Sequence, residues 1–147
     1  MDTILVAIDG SEHSGRAIEF AAEMAKTFDA GLTILTVLSS ITPVPMAMGA
    51  YAEMESLYQT KGDASTRVGE DVCDTAEKIA RENGVTLVET RVETGSPAHV
   101  IVDLANEIDA DVIVMGRRGL GDLGGLLLGS VSHKVGHLAD RTLITVK

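Results

Sequence analysis

The chain has 147 residues, of which 45% are hydrophobic but only 3% are aromatic, and its formal charge at pH 7 is −10. This length predicts a single domain over residues 1–147, and the composition predicts a core of aliphatic side chains. The acidic charge argues against binding to nucleic acids or to anionic membranes, and no apolar run approaches the roughly 20 residues that cross a bilayer.

An apolar run near the N-terminus predicts the first strand, Thr3–Ile8. Acidic residues flank this run and no basic segment precedes it, so it is not typical of a signal peptide. The following Asp9-Gly10-Ser11 predicts a turn, with Ser11 as the cap of the first helix. Apolar residues then recur every three or four positions, and Gly31 is predicted to end this helix. The helix face that they form comprises Ile18, Ala21, Ala22, Ala25 and Phe28.

A second predicted strand, Leu32–Val37, is followed by a segment of different composition. Ser39–Gly62 holds two prolines and several methionines, and we predict a mobile connection there with a helical piece over Ala50–Tyr58. A long helix is then predicted over Asp63–Asn83, ended by a glycine. Its inward face comprises Val68, Val72, Ala76, Ile79 and Ala80.

Cys73 is the only cysteine of the chain. A single cysteine excludes an internal disulfide framework and fits a reducing compartment, so we expect the protein to be cytoplasmic. Cys73 also falls on the apolar face of the predicted long helix, where we expect it to act as a small core hydrophobe.

The second half of the chain continues the alternation of strands and helices. A third strand is predicted over Thr86–Val92, a fourth over Val112–Met115 and a last one over Thr142–Val146. Gly95-Ser96-Pro97 predicts a helix start, with serine as cap and proline at the first helical position, and another helical pattern begins at Ser130. The buried face of the earlier of these helices comprises Ala98, Ile101, Val102, Ala105 and Ile108. The alternation favours right-handed βαβ units, with five strands and about four helices.

The stretch Met115-Gly116-Arg117-Arg118-Gly119, followed after nine residues by Gly129-Ser130, is the most informative part of the chain. It connects a predicted buried strand to a predicted helix start. Glycines allow backbone N–H groups to approach an anion closely, and a helix N-terminus adds unpaired donors. The segment lacks the Lys-Ser or Lys-Thr of a Walker A loop, and its position differs from that of the dinucleotide fingerprint. We therefore predict a phosphate-binding loop of another type.

The charge reverses its sign around this glycine-rich stretch. Between Gly116 and Arg141 four cationic side chains stand against two acids, although the whole chain is strongly acidic. A local excess of positive charge favours an anionic ligand. The four cations are Arg117, Arg118, Lys134 and Arg141.

Asp9 follows the first strand, at the edge of the sheet where open α/β proteins bind ligands. Its carboxylate could accept hydrogen bonds from a ribose or an adenine, could approach a cation, or could only cap the turn. Ser130 and Ser132 stand at a helix start, where they could contact phosphate oxygens as well as cap the helix.

His133 and His137 have the i, i+4 spacing of two metal ligands on one helix face. The sequence places no third ligand beside them, so the pair does not by itself predict a metal site. The other histidines and the carboxylates show no Ser-His-Asp triad and no pair of catalytic acids.

Taken together, these segments resemble the universal stress protein family, in its ATP-binding branch. Val6–Ser11, Gly95–Ala98 and Ala110–Gly116 are similar to the family's opening strand and turn, its third-strand exit and its fourth strand. The resemblance covers essentially the whole chain. The family's Gly-x2-Gly-x9-Gly-Ser/Thr motif is matched without a gap by Gly116, Gly119, Gly129 and Ser130.

This resemblance implies an α/β fold with an open five-stranded parallel sheet in the order 3-2-1-4-5 and helices on both faces, Rossmann-like and of the adenine nucleotide alpha hydrolase type. It implies that Asp9 meets the ribose or the base and that the backbone of Val37 meets the adenine. The glycine motif and the helix start would line the ribose and phosphates. The predicted nucleotide-binding residues are Asp9, Val37, Met115, Gly116, Arg118, Gly119, Gly129, Ser130, Val131 and Ser132.

The resemblance also implies a regulatory module for stress response or signalling that binds ATP, ADP or AMP, with Mg²⁺ as an optional companion. The alternative is a slow ATPase or another adenine-nucleotide hydrolase, for which the sequence offers Asp9 and Arg117 or Arg118 but no clear base. Family members are typically homodimers joined through the last strand, so Thr142–Val146 is the expected interface. The sequence leaves the protein partner and the fate of the nucleotide open.

Overall fold

A computed structural model of the chain describes residues 1–39, 51–120 and 128–147, and describes residues 51–63 by their backbone alone. Strands and helices alternate in these ranges. Their bounds are β1 Thr3–Ile8, α1 Glu12–Phe28, β2 Gly31–Ser39, α2 Tyr51–Glu82, β3 Val88–Gly95, α3 Pro97–Glu107, β4 Val112–Gly116, α4 Ser130–Leu138 and β5 Thr142–Val146. No helix in the described ranges combines the length and the apolar character that a membrane span requires.

The five strands form one parallel sheet in the order β3-β2-β1-β4-β5, which confirms the predicted fold class. The central strand β1 lies between β2 and β4. The chain builds outward from β1 to β3 on one side and then crosses to β4 and β5 on the other. The strand order therefore reverses beside β1, and this is the place where sheets of this type open a crevice.

The helices cover both faces of the sheet, as parallel strands require. Alternate residues of β1 point to opposite faces, so that Ile4 and Val6 pack against α1 and α2 while Leu5 and Ala7 pack against α3 and α4. Both cores consist of aliphatic side chains, and every residue of β4 is buried. The low aromatic content predicted such a core.

The end of α1 differs from the prediction. The helix ends at Phe28, and Asp29 then adopts the left-handed conformation with φ of 53°, which aspartate tolerates better than most residues. Gly31, the predicted helix end, instead begins β2, and its N–H donates to the carbonyl of Asp2 at 2.8 Å. Because the chain turns early, Phe28 is 53% exposed rather than buried.

Two predicted helices form one helix in the structure. Residues 40–50 of the predicted connection lie outside the described residues, but the backbone is helical without interruption over Tyr51–Glu82. Gly62 lies between the two predicted helices and costs a helix about 1 kcal/mol, which a helix of 32 residues can tolerate. Ala76 is buried as predicted, whereas Val68 is 62% exposed.

The bounds and buried face of the following elements also differ from the prediction. β3 begins at Val88, two residues later than predicted, and continues to Gly95, because its whole length pairs with β2. In α3, Leu104 is buried although it was not included in the predicted face, while Val102 and Ile108 are only partly buried. The predicted start of α3 at Pro97 after Ser96 is confirmed, but the Ser96 side chain contacts the ring of His99 and makes no capping hydrogen bond.

Cys73 lies in the core between α2 and the sheet, which confirms its expected packing. Its thiol donates to Oγ1 of Thr36 at 3.4 Å and to the carbonyl of Arg91 at 3.6 Å. Burial raises the pKa of the Cys73 thiol, because the thiolate would lose its hydration. The side chain is therefore an unreactive part of the core.

The carboxylate of Asp111 fixes the amino end of the sheet. It accepts hydrogen bonds from the backbone N–H groups of Asp2 at 2.6 Å and Thr3 at 3.1 Å. These hydrogen bonds lower the pKa of Asp111, because they favour its charged form. The contact joins the segment before β4 to the start of β1.

We expect Asp111 to make stability depend on pH. Because its folded-state pKa is depressed, its contribution should be complete above the ordinary aspartate pKa of about 3.9 and should be lost as pH falls through the lower folded-state value. Urea unfolding of the wild type and Asp111→Asn across acidic pH measures this. The free-energy difference between them should shrink as pH falls, while Asp103→Asn, an exposed control on α3, should show no such trend. A difference that stays constant throughout would contradict the assignment.

Candidate functional site

The candidate site lies at the carboxyl ends of β1 and β4. Ala7 pairs with Met115, so the last residues of the two strands lie side by side. The chain leaves β1 into α1 on one face of the sheet and leaves β4 toward α4 on the other face. The two helices therefore diverge and leave a crevice between them.

Asp9 links the turn after β1 to the glycine segment after β4. Its Oδ1 accepts a hydrogen bond from the N–H of Ser11 at 3.0 Å, and its Oδ2 accepts one from the N–H of Leu120, also at 3.0 Å. The interpretation of Asp9 as a turn cap is thus correct but incomplete. The residue remains exposed at the carboxyl end of β1.

The glycines of the motif are required by close packing. A Cβ on Gly119 would collide with Oδ2 of Asp9, and a Cβ on Gly116 would lie 2.9 Å from Cβ of His13. A Cβ on Gly129 would lie 3.0 Å from the carbonyl oxygen of Arg117. Each of these distances is shorter than side chains normally allow. The three glycines therefore let the loop approach β1, α1 and its own other end.

The backbone of Arg117 closes the loop. Its N–H donates to the carbonyl of Val146 in β5 at 2.7 Å, and its carbonyl accepts from the N–H of Gly129 at 2.8 Å. The hydroxyl of Ser132 lies 3.0 Å from this carbonyl and equally 3.0 Å from the carbonyl of Gly129, so it can donate its proton to either. Ser132 is 2% exposed, so its hydroxyl fastens the loop to α4 from within.

The first turn of α4 faces the crevice without a side-chain cap. Gly129 is the N-cap, and no side chain of the described residues caps this helix end. Ser130 was a candidate cap, but it is the first helical residue and is exposed. The N–H groups of Ser130, Val131 and Ser132 have no intrahelical partner at such a position, and the dipole adds positive potential there.

The cationic residues around the motif divide into two groups. Arg117 and Arg118 lie in the loop, and the Nε of Arg117 is buried without a hydrogen-bond partner among the described residues. Arg141 instead pairs with Oδ1 of Asp109 at 2.7 Å, beside the amino end of β4. Arg141, which the sequence analysis counted among the cations near the glycine motif, therefore lies at the opposite edge of the sheet.

Two predicted residues border the crevice through their backbone. β2 continues beyond the end of β1, because Ile8 pairs with Thr36 and Val37 pairs only with Glu93 of β3. The β1 side of Val37 is therefore not covered by a strand in the described structure. The side chain of Met115 is 6% exposed and belongs to the core, so only its backbone lies at the strand end.

One residue that the sequence analysis did not place in the site is His13. It packs against Gly116, and its Nδ1 lies 3.2 Å from Nη2 of Arg16 on the same helix. Its position in the first helical turn after Asp9-Gly10-Ser11 could have indicated from the sequence that it lies near the site.

Residues 121–127 of the glycine segment lie outside the described residues. Within the described ranges no group of three or more potential ligands could hold a metal ion.

Comparisons with known proteins find similar sequences and folds over essentially the whole chain. A model of the universal stress protein family matches residues 1–147. Universal stress protein YxiE of Bacillus subtilis (strain 168) is 34% identical over 145 residues, which cover 98% of this chain and 97% of that protein. A solved universal stress protein in complex with cAMP is 28% identical, with a TM-score of 0.70 and coverage of 99% and 96%. The universal stress protein from Archaeoglobus fulgidus in complex with dAMP is 25% identical, with a TM-score of 0.66 and coverage of 100% and 98%.

We expect Gly119→Ala to separate the glycine segment from β1. The new methyl group takes the position of the Asp9 carboxylate, so the Leu120 N–H should lose its acceptor and the free energy of unfolding should fall by about 1 kcal/mol. Gly15→Ala is the control, because a Cβ there meets nothing within 4 Å, and it should stabilise α1 by about 0.5–1 kcal/mol.

Urea unfolding and amide hydrogen exchange at Leu120 measure both effects. Exchange should accelerate in Gly119→Ala and remain unchanged in Gly15→Ala. If Leu120 keeps its wild-type protection in Gly119→Ala, the contact with Asp9 does not hold the loop.

Proposed function

The chain belongs to the universal stress protein family, and we propose that it binds an adenine nucleotide in the crevice between the carboxyl ends of β1 and β4. The observation that carries this proposal is the meeting of Asp9, the glycine motif and the uncapped first turn of α4 at one place. Two relatives of known structure hold cAMP and dAMP. Both ligands combine an adenine base with a phosphate, and the crevice offers suitable groups for each.

The phosphates would lie against the first turn of α4. The N–H groups of Ser130 and Val131 lack intrahelical acceptors, and the helix dipole favours an anion at this end. The buried Nε of Arg117 also lacks a partner among the described residues. A buried guanidinium N–H without an acceptor is costly, so a phosphate oxygen near the loop would relieve that cost. The glycines keep the approach to these donors open.

The base and ribose would lie toward β2. Val37 follows the last residue of β2 that pairs with β1, and backbone groups at such a position can exchange hydrogen bonds with the edge of an adenine. The Asp9 carboxylate is exposed and would accept hydrogen bonds from ribose hydroxyls. These two contacts would orient the nucleotide with its phosphates toward α4.

We favour ATP as the full ligand, with Mg²⁺ as an optional companion, and a regulatory rather than a hydrolytic role. Hydrolysis requires a base that positions and activates water. Each oxygen of Asp9 already accepts one hydrogen bond from the backbone, and in the proposed orientation its remaining lone pairs would hold the ribose, away from the phosphates. A module that holds ATP against a preformed loop agrees better with this arrangement.

Ser130→Pro tests the phosphate subsite without disturbing the fold. Proline is favoured at the first helical position, and Gly129 has the extended conformation, with φ of −67° and ψ of 154°, that proline requires of its predecessor. The substitution removes one N–H donor, so affinity for AMP and ATP should fall about tenfold while affinity for adenosine stays unchanged.

Titration calorimetry with adenosine, AMP and ATP provides the measurement. Ser130→Ala keeps the N–H and should bind AMP and ATP like the wild type. GMP should bind the wild type weakly, because its base presents different donors and acceptors. Equal AMP affinity in Ser130→Pro and the wild type would remove this helix end from the site, and rapid release of phosphate from ATP would favour the hydrolase alternative.

The same proposal includes a homodimer through β5. This strand is at the edge of the sheet and pairs with β4 on one side. The carbonyl of Val146 accepts from Arg117 and so faces β4. Because backbone groups alternate along a strand, the N–H groups of Leu143 and Thr145 face outward. A second copy related by a two-fold axis could pair with them.

Thr145→Pro should therefore yield a folded monomer. Proline at this position removes an outward donor and is tolerated on an edge strand, while Thr145→Val keeps the donor and should dimerise normally. Light scattering at high micromolar concentration gives the mass of each. A monomeric wild type, or a folded Thr145→Pro that dimerises as the wild type does, would contradict the proposed interface.

A further inference from the structure

Two histidines on the exposed side of α4 form a close pair outside the crevice. The Nε2 atoms of His133 and His137 lie 3.3 Å apart, and the two ring planes meet at 75°. We propose that this pair is a surface site for one divalent transition-metal ion, of which Zn²⁺ and Cu²⁺ are the best matches. The proposal is independent of nucleotide binding, because neither side chain contributes to the crevice described above.

The separation of the two nitrogens equals a ligand–ligand distance around zinc. Zinc binds imidazole nitrogen at about 2.0–2.1 Å with tetrahedral geometry, so two such ligands are about 3.3 Å apart. His133 and His137 already have this separation with both rings on one face of α4. The spacing of the two nitrogens therefore needs no change in the helix before an ion binds, and only the rings have to turn toward it.

The same distance also fits a direct hydrogen bond between the rings. That bond requires one ring to carry its proton on Nε2 and the other on Nδ1, so that one Nε2 donates to the other. Metal binding requires both rings to carry the proton on Nδ1 and to offer both Nε2 lone pairs. The two states are thus mutually exclusive, and an added ion would replace the hydrogen bond by two coordinate bonds.

The surroundings allow a cation at this position. Both rings are exposed, and His137 lies in the last turn of α4, where the negative end of the helix dipole favours positive charge. Lys134 points about 100° away from His133 around the helix but is an i, i+3 neighbour of His137, so its flexible side chain must extend away from a bound ion.

The ligand set selects the class of ion. Imidazole suits zinc, copper and nickel, whereas Mg²⁺ and Ca²⁺ prefer oxygen ligands. Within the described ranges no third histidine, cysteine or carboxylate joins the pair. The remaining coordination positions would be open to water or to a ligand from solution, as in sites that are not purely structural.

Binding would also connect two successive turns of a short helix. α4 has nine residues, and the N–H of His133 donates to the carbonyl of Gly129 at its start. An ion held by residues i and i+4 can bind only while the helix is formed, so it should stabilise α4 by linkage. This predicts a higher melting temperature when Zn²⁺ is present.

Zinc titration of the full chain against a chromophoric chelator tests the proposal. The wild type should bind one Zn²⁺ per chain, and His133→Ala and His137→Ala should each bind at least about tenfold more weakly, since one of two protein ligands is lost. His99→Ala is the matched control: His99 is an exposed histidine on α3 whose ring contacts Ser96. This variant should bind zinc like the wild type, and Mg²⁺ should not compete.

A second readout separates a metal site from a hydrogen-bonded pair. Zn²⁺ should raise the melting temperature of the wild type and of His99→Ala but not of either pair variant, and imidazole NMR signals of His133 and His137 should shift together. The proposal is overturned if the wild type fails to bind Zn²⁺ at high micromolar concentration. It is equally overturned if either alanine variant of the pair keeps wild-type affinity, or if zinc shifts only the signals of other histidines.

Discussion

The parallel pairing of β1 with β4 places Ala7 beside Met115, and this register determines where the two strands end relative to each other. The remaining features of the crevice depend on it. Asp9 can reach Leu120 only because both loops leave the sheet at the same level. The helices that follow lie on opposite faces, so the space between the loops stays open. Both faces of these strands are buried, so a shift of register by one residue would exchange the side chains that pack against the two helix layers. The core and the crevice are therefore specified together.

Within this frame the glycine motif has a structural as well as a proposed binding role. Side chains at Gly116, Gly119 or Gly129 would collide with α1, with Asp9 or with the loop itself. The packing indicates that bulky substitutions there would strain the fold as well as obstruct a ligand. The buried hydroxyl of Ser132 strengthens the same closure. A preformed loop of this kind would present its N–H donors without a large ordering cost on binding.

The sequence predicted the strand order through a family resemblance and most elements through local periodicity and turn chemistry. It could not show which distant groups meet. The contact of Asp9 with Leu120 joins residues more than a hundred positions apart. Arg141 lies at the amino edge because it directly precedes β5, whose first residue pairs with Val112, and there it meets Asp109. Periodicity also did not predict that α1 ends at Phe28. Several residues near this point could adopt the left-handed conformation, and tertiary packing determines that Asp29 does so. The spacing of His133 and His137 was visible in the sequence, but their nitrogen separation was not.

The central claim is that an adenine nucleotide occupies the crevice between β1 and β4. The most direct measurement is the mapping of backbone amide chemical shifts in the isotope-labelled wild type as AMP is added. We predict that the largest changes fall on Asp9, Gly116, Gly119 and Ser130, with smaller changes along the end of β2. Saturable changes confined to other surfaces, or no changes at millimolar AMP while the protein remains folded, would contradict the account.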